Sequence, residues 1–444
     1  MKGMPDTVTG WLDHLESLSP PQTIHLGLER MQALLGRIGW GPKDPPALVI
    51  GGTNGKGSTV AFVEAILRAA GYRVGAYFSP HLFRYEERIR INGAEIGDRP
   101  LCRAFAATEA ERGTLPLTFF EFGTAAALLA FRETSLDCLV LEVGLGGRLD
   151  AVNAINPIAS AVTSVGIDHV EWLGPDRESI GREKAGIFRT YKPAIVGDPD
   201  PPRSLLEEAR RVGAALVLRG QDFDWQRDGE TGSWSYRNQT RERLGLPEPA
   251  LPGSFQLDNA ATALALIDAI AQDWPVSDEA IRAGLGAARL PGRFEWRETG
   301  RIRWCLDVAH NPAAAATLAR ELRMRKEAGR VHAILGMLRD KDVEGFVRAL
   351  DPEIDVWHPI GLPGPRGLPS SELAARVRAA LPCARIECGD PLEELIVDGE
   401  RAQSAPVGVV TGSFRTLERM LPLIEERFPS SGGTHPAPRE RDCA

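Results

Sequence analysis

The 444-residue chain lacks several features that would each define a class of function. No apolar run approaches the ~20 residues of a membrane span; the best, residues 125–131, is a helix-sized core segment. The first residues, MKGMPDTVTGW, contain no apolar h-region and so no secretory signal. Six cysteines, at 102, 138, 305, 383, 388 and 443, are scattered without C-x-x-C spacing, which argues against a zinc site or a disulfide framework. Cys138 and Cys305 fall within apolar strands, where cysteine acts as a small hydrophobe. Basic residues are in deficit, 52 against 60 acidic, and the net charge of −8 leaves no basic footprint for nucleic acid. There is no internal repeat. A cytoplasmic protein with neither membrane nor nucleic-acid partner is expected, in two domains given its length.

What is present is alternation. Short β-branched runs at 47–50, 73–78, 137–143, 159–164 and 194–196 read as strands, separated by helical periods at 58–70, 119–131, 176–186 and 203–212. That order implies a parallel sheet with helices on both faces. Residues 219–252 are polar and aromatic with three prolines, consistent with a small sheet or an excursion, and a helix at 257–271 follows. AARLPGRF, residues 287–294, breaks the pattern as a hinge. Strands are again expected at 304–308, 331–335, 354–358, 384–387 and 407–411. The fold class is α/β: an N-terminal P-loop ATPase-like domain over 1–291, then a smaller Rossmann-like doubly wound domain over 292–429. Residues 430–444, rich in Pro, Gly and Ser, read as a disordered tail.

VIGGTNGKGST, residues 49–59, joins the first strand to a helix through a glycine-rich turn. Glycines let backbone N–H groups approach an anion, Lys56 adds positive charge, and the helix points its N-terminus at the ligand. The spacing departs from the usual P-loop, with three residues between Gly51 and Gly55 and with Gly57 displacing the hydroxyls to Ser58 and Thr59. Lysine and paired hydroxyls in this order favour ATP over an empty structural turn.

Other polar residues gather at strand ends. Glu142 closes one strand, where it either holds Mg²⁺ or caps the following glycine turn. His169 closes the next; sequential strands usually neighbour each other, which would set it beside Glu142. Lys184 either is solvated, or pairs with Glu183, or is buried and carbamylated by CO₂ into an anionic metal ligand. FSPHLFRYEERIRI, residues 78–91, presents Ser79 near the metal and uses its arginines to hold a mobile loop. In TFFE, Thr118 to Glu121, one of Phe119 and Phe120 belongs to the core while the other is core or stacks on a flat aromatic substrate. Beyond the middle of the chain, Asp258, Asn259, Arg293, Asp307, His310, Asn311, the GMLRDKD loop at 336–342 and TGSF at 411–414 stand out. Three polar strand-end loops on one edge imply that this edge serves the same ATP.

Together, GTNGKGST, SPHLFRYEERIRI, TFFE, LEVGLGGRLDAVN, DHVEWLGPDRESIGREKAGI, DNAATAL, LPGRFE, LDVAHNP, GMLRDKD and TGSF resemble the folylpolyglutamate synthase and dihydrofolate synthase family of the Mur ligase group, in the family's own order. The resemblance implies phosphate binding by Thr53, Asn54, Gly55, Lys56, Gly57 and Ser58. It implies a first Mg²⁺ on Ser79 and Glu142, a second on His169 and carbamylated Lys184, and room for a monovalent cation. Asn259 would contact the adenine region, Arg293 the phosphates and Asp307 the nucleotide, with His310 and Ser413 at the glutamate end. The IHLGLER and GGRLDA stretches are similar to those of bifunctional bacterial members. This implies a pterin pocket of His25, Leu26, Gly27, Leu28, Thr118, Phe119, Phe120, Glu121, Leu149, Asp150 and Ala151, with Asp150 bonded to the ring. About fifty residues precede the phosphate loop, too few for the extra sugar-nucleotide domain of a muramyl ligase.

The expected enzyme is thus a monomeric ligase acting on ATP, L-glutamate, dihydropteroate and reduced folates through an acyl phosphate. Lys56, His169, Lys184 and Arg293 would carry the catalytic charge. The alternatives are polyglutamate synthesis alone, a muramyl-type ligase, a regulatory ATPase without ligation, and a binding protein without catalysis.

Overall fold

A computed structural model describes residues 4–20, 25–229, 232–325 and 328–428. The expected tail at 430–444 lies outside the described residues, as do Thr23 and Ile24. The chain divides into two compact units. The first takes residues up to His81, then Tyr85–Ala250 and Gln256–Arg289; the second takes Leu82–Arg84, Leu251–Phe255 and the chain from Leu290 onward.

The N-terminal unit is built on an eight-stranded sheet: β1 (Ala47–Gly51), β2 (Val74–Tyr77), β3 (Ile89–Ile91), β4 (Ala94–Glu95), β5 (Cys138–Glu142), β6 (Ala159–Val162), β7 (Pro193–Val196) and β8 (Ala215–Leu218). Their order is β4-β3-β2-β5-β1-β6-β7-β8, and all pairs are parallel except those made by β3 and β4. Strands β1, β2, β5 and β6 are buried throughout, as sheets covered on both faces require. Val49, Leu139 and Leu141 face a core shared with helices Phe119–Arg132 and Arg177–Ala185. The intervening Leu48 and Val140 point the other way by the two-residue period of a strand. Helix Lys56–Ala69 packs with β1, β2 and β5 and with helices Gln256–Ala269 and Asp278–Ala287.

The sequence expectation fails in four places. Glu142 and His169 do not follow adjacent strands, because β1 lies between β5 and β6. Residues 89–91 form a strand rather than part of a mobile loop, folded back by Asn92-Gly93, both with positive φ, the turn chemistry of a tight hairpin. Arg88, expected on that loop, is buried and donates to His81 Nδ1 at 2.8 Å. Strand β8 was not anticipated, and residues 384–387 provide only an isolated bridge between Ile386 and Trp357.

Residues 219–252 form an antiparallel sheet of β9 (Phe223–Arg227), β10 (Trp234–Asn238) and β11 (Glu242–Leu246). It is fastened to helix Gln256–Ala269 by Asp258, which accepts from Trp225 Nε1 at 2.8 Å and pairs with Arg219 at 2.7 Å.

The C-terminal unit has a five-stranded sheet of β12 (Glu295–Thr299), β13 (Ile302–Leu306), β14 (Val331–Leu335), β15 (Val356–Pro359) and β16 (Val407–Thr411), in the order β12-β13-β16-β14-β15. Only β12 runs antiparallel. Alternate strand residues feed separate cores: Cys305, Ala333 and Val409 on one face, Trp304, Ile334 and Val410 on the other.

Two buried histidines lie side by side in this sheet. His332 Nδ1 is 2.9 Å from His358 Nε2, and His332 Nε2 is 2.8 Å from Asp398, itself paired with Arg330. His358 Nδ1 meets no hydrogen-bond partner among the described residues. Burial first, and then a charge on His332, push the His358 pKa down to about 4; burial also lowers that of His332. Below pH ~6.5 the unfolded chain therefore takes up protons that the folded one refuses. Stability is complete above that pH and falls as pH drops toward 4. Between pH 7.5 and 5.0, urea unfolding should show a loss in the parent protein about 2 kcal/mol greater than in His358→Leu. Equal losses would remove the histidine pair as the cause.

Candidate active site

β1 ends in the phosphate loop, and its register fixes what stands on either side. Ile50 pairs with Glu142 of β5, and Gly51 with Val162 of β6. The expected ligands therefore flank the loop, with Glu142 on one side and the β6 loop carrying His169 on the other. Helix Lys56–Ala69 starts two residues earlier than the apolar period suggests, so Lys56 sits in its first turn. Gly55, at φ +87°, precedes it, and no side chain caps this helix. A helix start with glycine in place of a capping side chain is one where an anion can take the cap's part. Lys56 Nζ donates to the carbonyls of Gly52 and Thr53, both at 3.1 Å. Ser58 and Thr59 are buried, and Thr59 Oγ1 donates to Gly55 O at 3.0 Å.

The loop is laced to residues after β6 that sequence reasoning overlooked. Thr53 N donates to Ser164 O at 2.7 Å, and Asn54 N donates to Ser164 Oγ at 3.0 Å. Asn54 O accepts from Thr163 Oγ1 at 2.6 Å and from Ser164 Oγ at 3.0 Å. Thr53 Oγ1 accepts from Gly166 N at 2.9 Å. Thr163 and Ser164 close the quoted strand at 159–164, so their polarity at a buried strand end was the available signal.

Glu142 is buried and accepts from Ser79 N at 3.0 Å, which joins these two expected ligands at the ends of neighbouring strands. His169 adopts φ +51°, and its N–H is held by Asp168 at 2.8 Å. Lys184 is buried, and of its three readings the pairing with Glu183 is ruled out, because Glu183 binds Arg148 through bonds of 2.8 to 3.2 Å. Burial, and after it the charge of Lys56, lower the Lys184 pKa to about 7, against opposing pulls from Asp168 and Asp150. Asp168 had not been singled out, although it adjoins His169. Among the described residues no three His, Cys, Asp or Glu side chains form a metal cage.

The segments expected around the pterin come together. Gly27 N donates to Leu149 O at 3.4 Å. Arg30 binds Glu121 with Nε at 3.0 Å from both oxygens, and also donates to His25 O. Glu121 and Thr118 form a capping box for helix Phe119–Arg132. Phe119 is buried and joins His25 and Thr118 in lining a cavity of about 390 Å³. Phe120 is half-buried, with its ring against Gly144 and near Tyr77. Leu26, Leu28 and Leu149 are partly exposed, and Ala151 is buried. Asp150 is enclosed, and its two oxygens accept from Leu145 N at 2.9 Å and Val152 N at 3.0 Å. Burial raises its pKa to about 7 against these bonds.

In the C-terminal unit, β13, β16 and β14 are neighbours, so the loops after them lie side by side. Asp307 is buried and accepts from Phe294 N and Ala309 N, both at 2.8 Å; burial raises its pKa. Arg293 lies 5.1 Å from the centre of the Phe414 ring. His310 Nδ1 is 2.9 Å from Val308 O, and Ser413 caps helix Phe414–Arg427 by accepting from Arg415 N. Asn259, in the N-terminal unit, is buried beside Gly55.

A phosphate cradle between two strand-end carboxylate loops, with a second doubly wound unit, defines an ATP-dependent amide ligase of the Mur type. The Mur ligase middle domain matches residues 50–267, and the Mur ligase glutamate ligase domain matches residues 292–414. The dihydrofolate synthase/folylpolyglutamate synthase of Escherichia coli K12 is 42% identical over 427 residues, 96% of this chain and 97% of its own. The structure of E. coli FolC in complex with DHPP and ADP superposes with a TM-score of 0.88 at 40% identity, covering 96% of this chain and all of that one. A bifunctional folylpolyglutamate synthase/dihydrofolate synthase with Mn, AMPPNP and L-glutamate bound gives 0.85 at 42% identity, covering 95% and 100%. The chain belongs to the dihydrofolate synthase/folylpolyglutamate synthase family.

Lys56→Ala should lower turnover roughly 100-fold or more, since it removes a charge aimed at phosphate. The melting temperature should stay close to the parent's, because the Lys56 ammonium donates to carbonyls of its own loop, Gly52 and Thr53, rather than filling a core. Parent turnover in the purified variant would refute the phosphate-loop assignment.

Proposed function

We propose that this protein condenses L-glutamate with dihydropteroate to give dihydrofolate and extends reduced folates with further glutamates, at the expense of ATP. The observation that carries the reading is that residues 25–28, 118–121 and 149–151 adjoin one another in the unit that holds the phosphate loop. The bifunctional relatives support it, one bound to DHPP and ADP, another to Mn, AMPPNP and L-glutamate. No helix among the described residues is long and apolar enough to cross a membrane; a cytoplasmic monomer remains the expectation.

The substrate carboxylate attacks the γ-phosphorus of ATP, ADP departs, and an acyl phosphate forms. The amine of L-glutamate then adds to the acyl carbon, and the tetrahedral adduct expels phosphate and loses a proton. Phosphoryl transfer asks chiefly for positioning and charge neutralisation. The loop of Thr53 to Ser58, with Lys56 and Arg293, supplies both, while Asn259 and Asp307 hold the nucleotide; the Thr53 and Asn54 amides are themselves taken by Ser164 and shape the loop. Ser79 with Glu142, and His169 with Lys184, would hold two Mg²⁺ ions, whose chemistry is to neutralise the phosphate oxygens. One carboxylate beside a hydroxyl suits an ion that keeps waters and phosphate oxygens in its shell. His310 and Ser413 serve the glutamate end; a hydroxyl that accepts from Arg415 N still has its own hydrogen to donate. Phe120 offers a ring face to the pterin, and Asp150, partly protonated near pH 7, both shapes the 145–152 loop and bonds the ring.

A pKa near 7 leaves much of the Lys184 amine neutral at physiological pH. The neutral amine attacks CO₂ and loses a proton, giving a carbamate, an anion fit for a metal where an ammonium is not. Protein equilibrated with ¹³C-bicarbonate at pH 7.5 should show a carbamate resonance that Lys184→Arg lacks. Its absence from the parent would remove the carbamate.

Purified enzyme with ATP, Mg²⁺ and L-glutamate should form dihydrofolate from dihydropteroate and should also lengthen a tetrahydrofolate. Asp150→Ala should damage the first reaction more than it damages ATP binding. Elongation without any dihydrofolate would leave polyglutamate synthesis as the only activity.

A further inference from the structure

We propose that Gln256 is a positioning residue for the nucleotide: it fixes the orientation of Asn259, and through Asn259 the turn that opens the phosphate-loop helix. The proposal rests on the reading that Asn259 serves the nucleotide. Gln256 and Asn259 stand one turn apart on helix Gln256–Ala269, and both are buried. Gln256 Oε1 accepts from Asn259 Nδ2 at 2.9 Å. That bond decides which end of the Asn259 amide faces which way, with the donor end to Gln256 and the acceptor end, Oδ1, to Gly55.

The Oδ1 contact is close. A Cβ built on Gly55 would stand 2.2 Å from it, so Asn259 fills the space that a side chain at residue 55 would need. Gly55 is also at φ +87°, where glycine alone is at ease. Asn259 and the left-handed turn therefore fit each other, and the turn aims the first amides of helix Lys56–Ala69. With the Gln256 acceptor lost, the Asn259 amide could turn and press a donor against a loop whose own N–H groups are meant for phosphate.

The other end of Gln256 supports a polar role. Its Nε2 meets no acceptor among the described residues although the side chain is fully enclosed. An enclosed, unpaired N–H is unfavourable. Methionine would occupy the same space without that cost. What methionine cannot offer is the acceptor for Asn259.

The test is AMPPNP binding by calorimetry together with steady-state turnover on the full-length enzyme. Gln256→Met should weaken AMPPNP about tenfold and raise KM for ATP by a similar factor, with kcat at saturating ATP within threefold of the parent. Gln256→Glu, which keeps an acceptor, should stay within threefold on all measures. Asn259→Ala should weaken AMPPNP at least tenfold, and adding Gln256→Met to it should cost nothing more, since the glutamine acts through the asparagine. Should Gln256→Met fail to fold, Gln256→Asn, too short to reach, replaces it with the same expectation. Parent-like binding in the folded Met or Asn variant, or losses that multiply in the double variant, overturns the proposal while leaving Asn259 in place. Parent-like binding in Asn259→Ala overturns the role of Asn259 and the proposal with it.

Discussion

The Asn54 carbonyl is the point on which the site turns. A loop that aims its N–H groups at an anion must send its carbonyls elsewhere, and a buried carbonyl needs donors. Here two hydroxyls, Thr163 Oγ1 and Ser164 Oγ, meet Asn54 O from the end of β6. The contact presupposes that β1 and β6 are neighbours and in register, Gly51 beside Val162. It also presupposes a glycine at residue 52, where a Cβ would lie 1.9 Å from Thr163 Oγ1. Sheet order, register and glycine placement all converge on satisfying one carbonyl, and the cradle's shape follows.

Much of this architecture can be read from the chain. Strands β1, β2, β5, β6 and β7 and four of the helices beside them follow from apolar period and length, because each buried strand must be continuously apolar and each helix must show one apolar face; the helix Asp98–Arg112 was missed. Strand order is another matter. Glu142 and His169 follow β5 and β6, which sequence proximity suggests are neighbours, yet β1 separates them. No periodicity records which strands pair across a crossover; that is settled by packing of the whole sheet. The β3 hairpin was legible in Asn92-Gly93 and was passed over because its strands are so short. Residues 384–387 carry an apolar pattern yet make a single bridge, since the C-terminal sheet ends at β15.

The site divides in the same way. Lys56 at a helix start and Glu142 at a strand end stand out by residue type and place, whereas Lys184 lies in the last turn of a helix. What bears on the readings of Lys184 is visible only in three dimensions: Arg148 binds Glu183, and burial lowers the lysine pKa to about 7. The pterin segments are far apart in sequence and polar or apolar in no telling rhythm, so only the resemblance to a family grouped them. Thr163, Ser164 and Asp168 hold other residues of the site, and their only signal was polarity at a buried strand end and a place beside His169.

The short hairpin at residues 89–95 has a consequence for how the molecule behaves in company. A parallel sheet that stopped at β2 would present a row of unpaired N–H and C=O groups, a template on which another chain could grow. Instead β3 turns back against β2, and the outermost strand, Ala94–Glu95, is two exposed residues long. The Ile96 N–H then donates back to Ile89 O rather than outward. A strand arriving from another molecule would find two residues and then a turn. This margin of the sheet resists polymerisation by being too brief to copy.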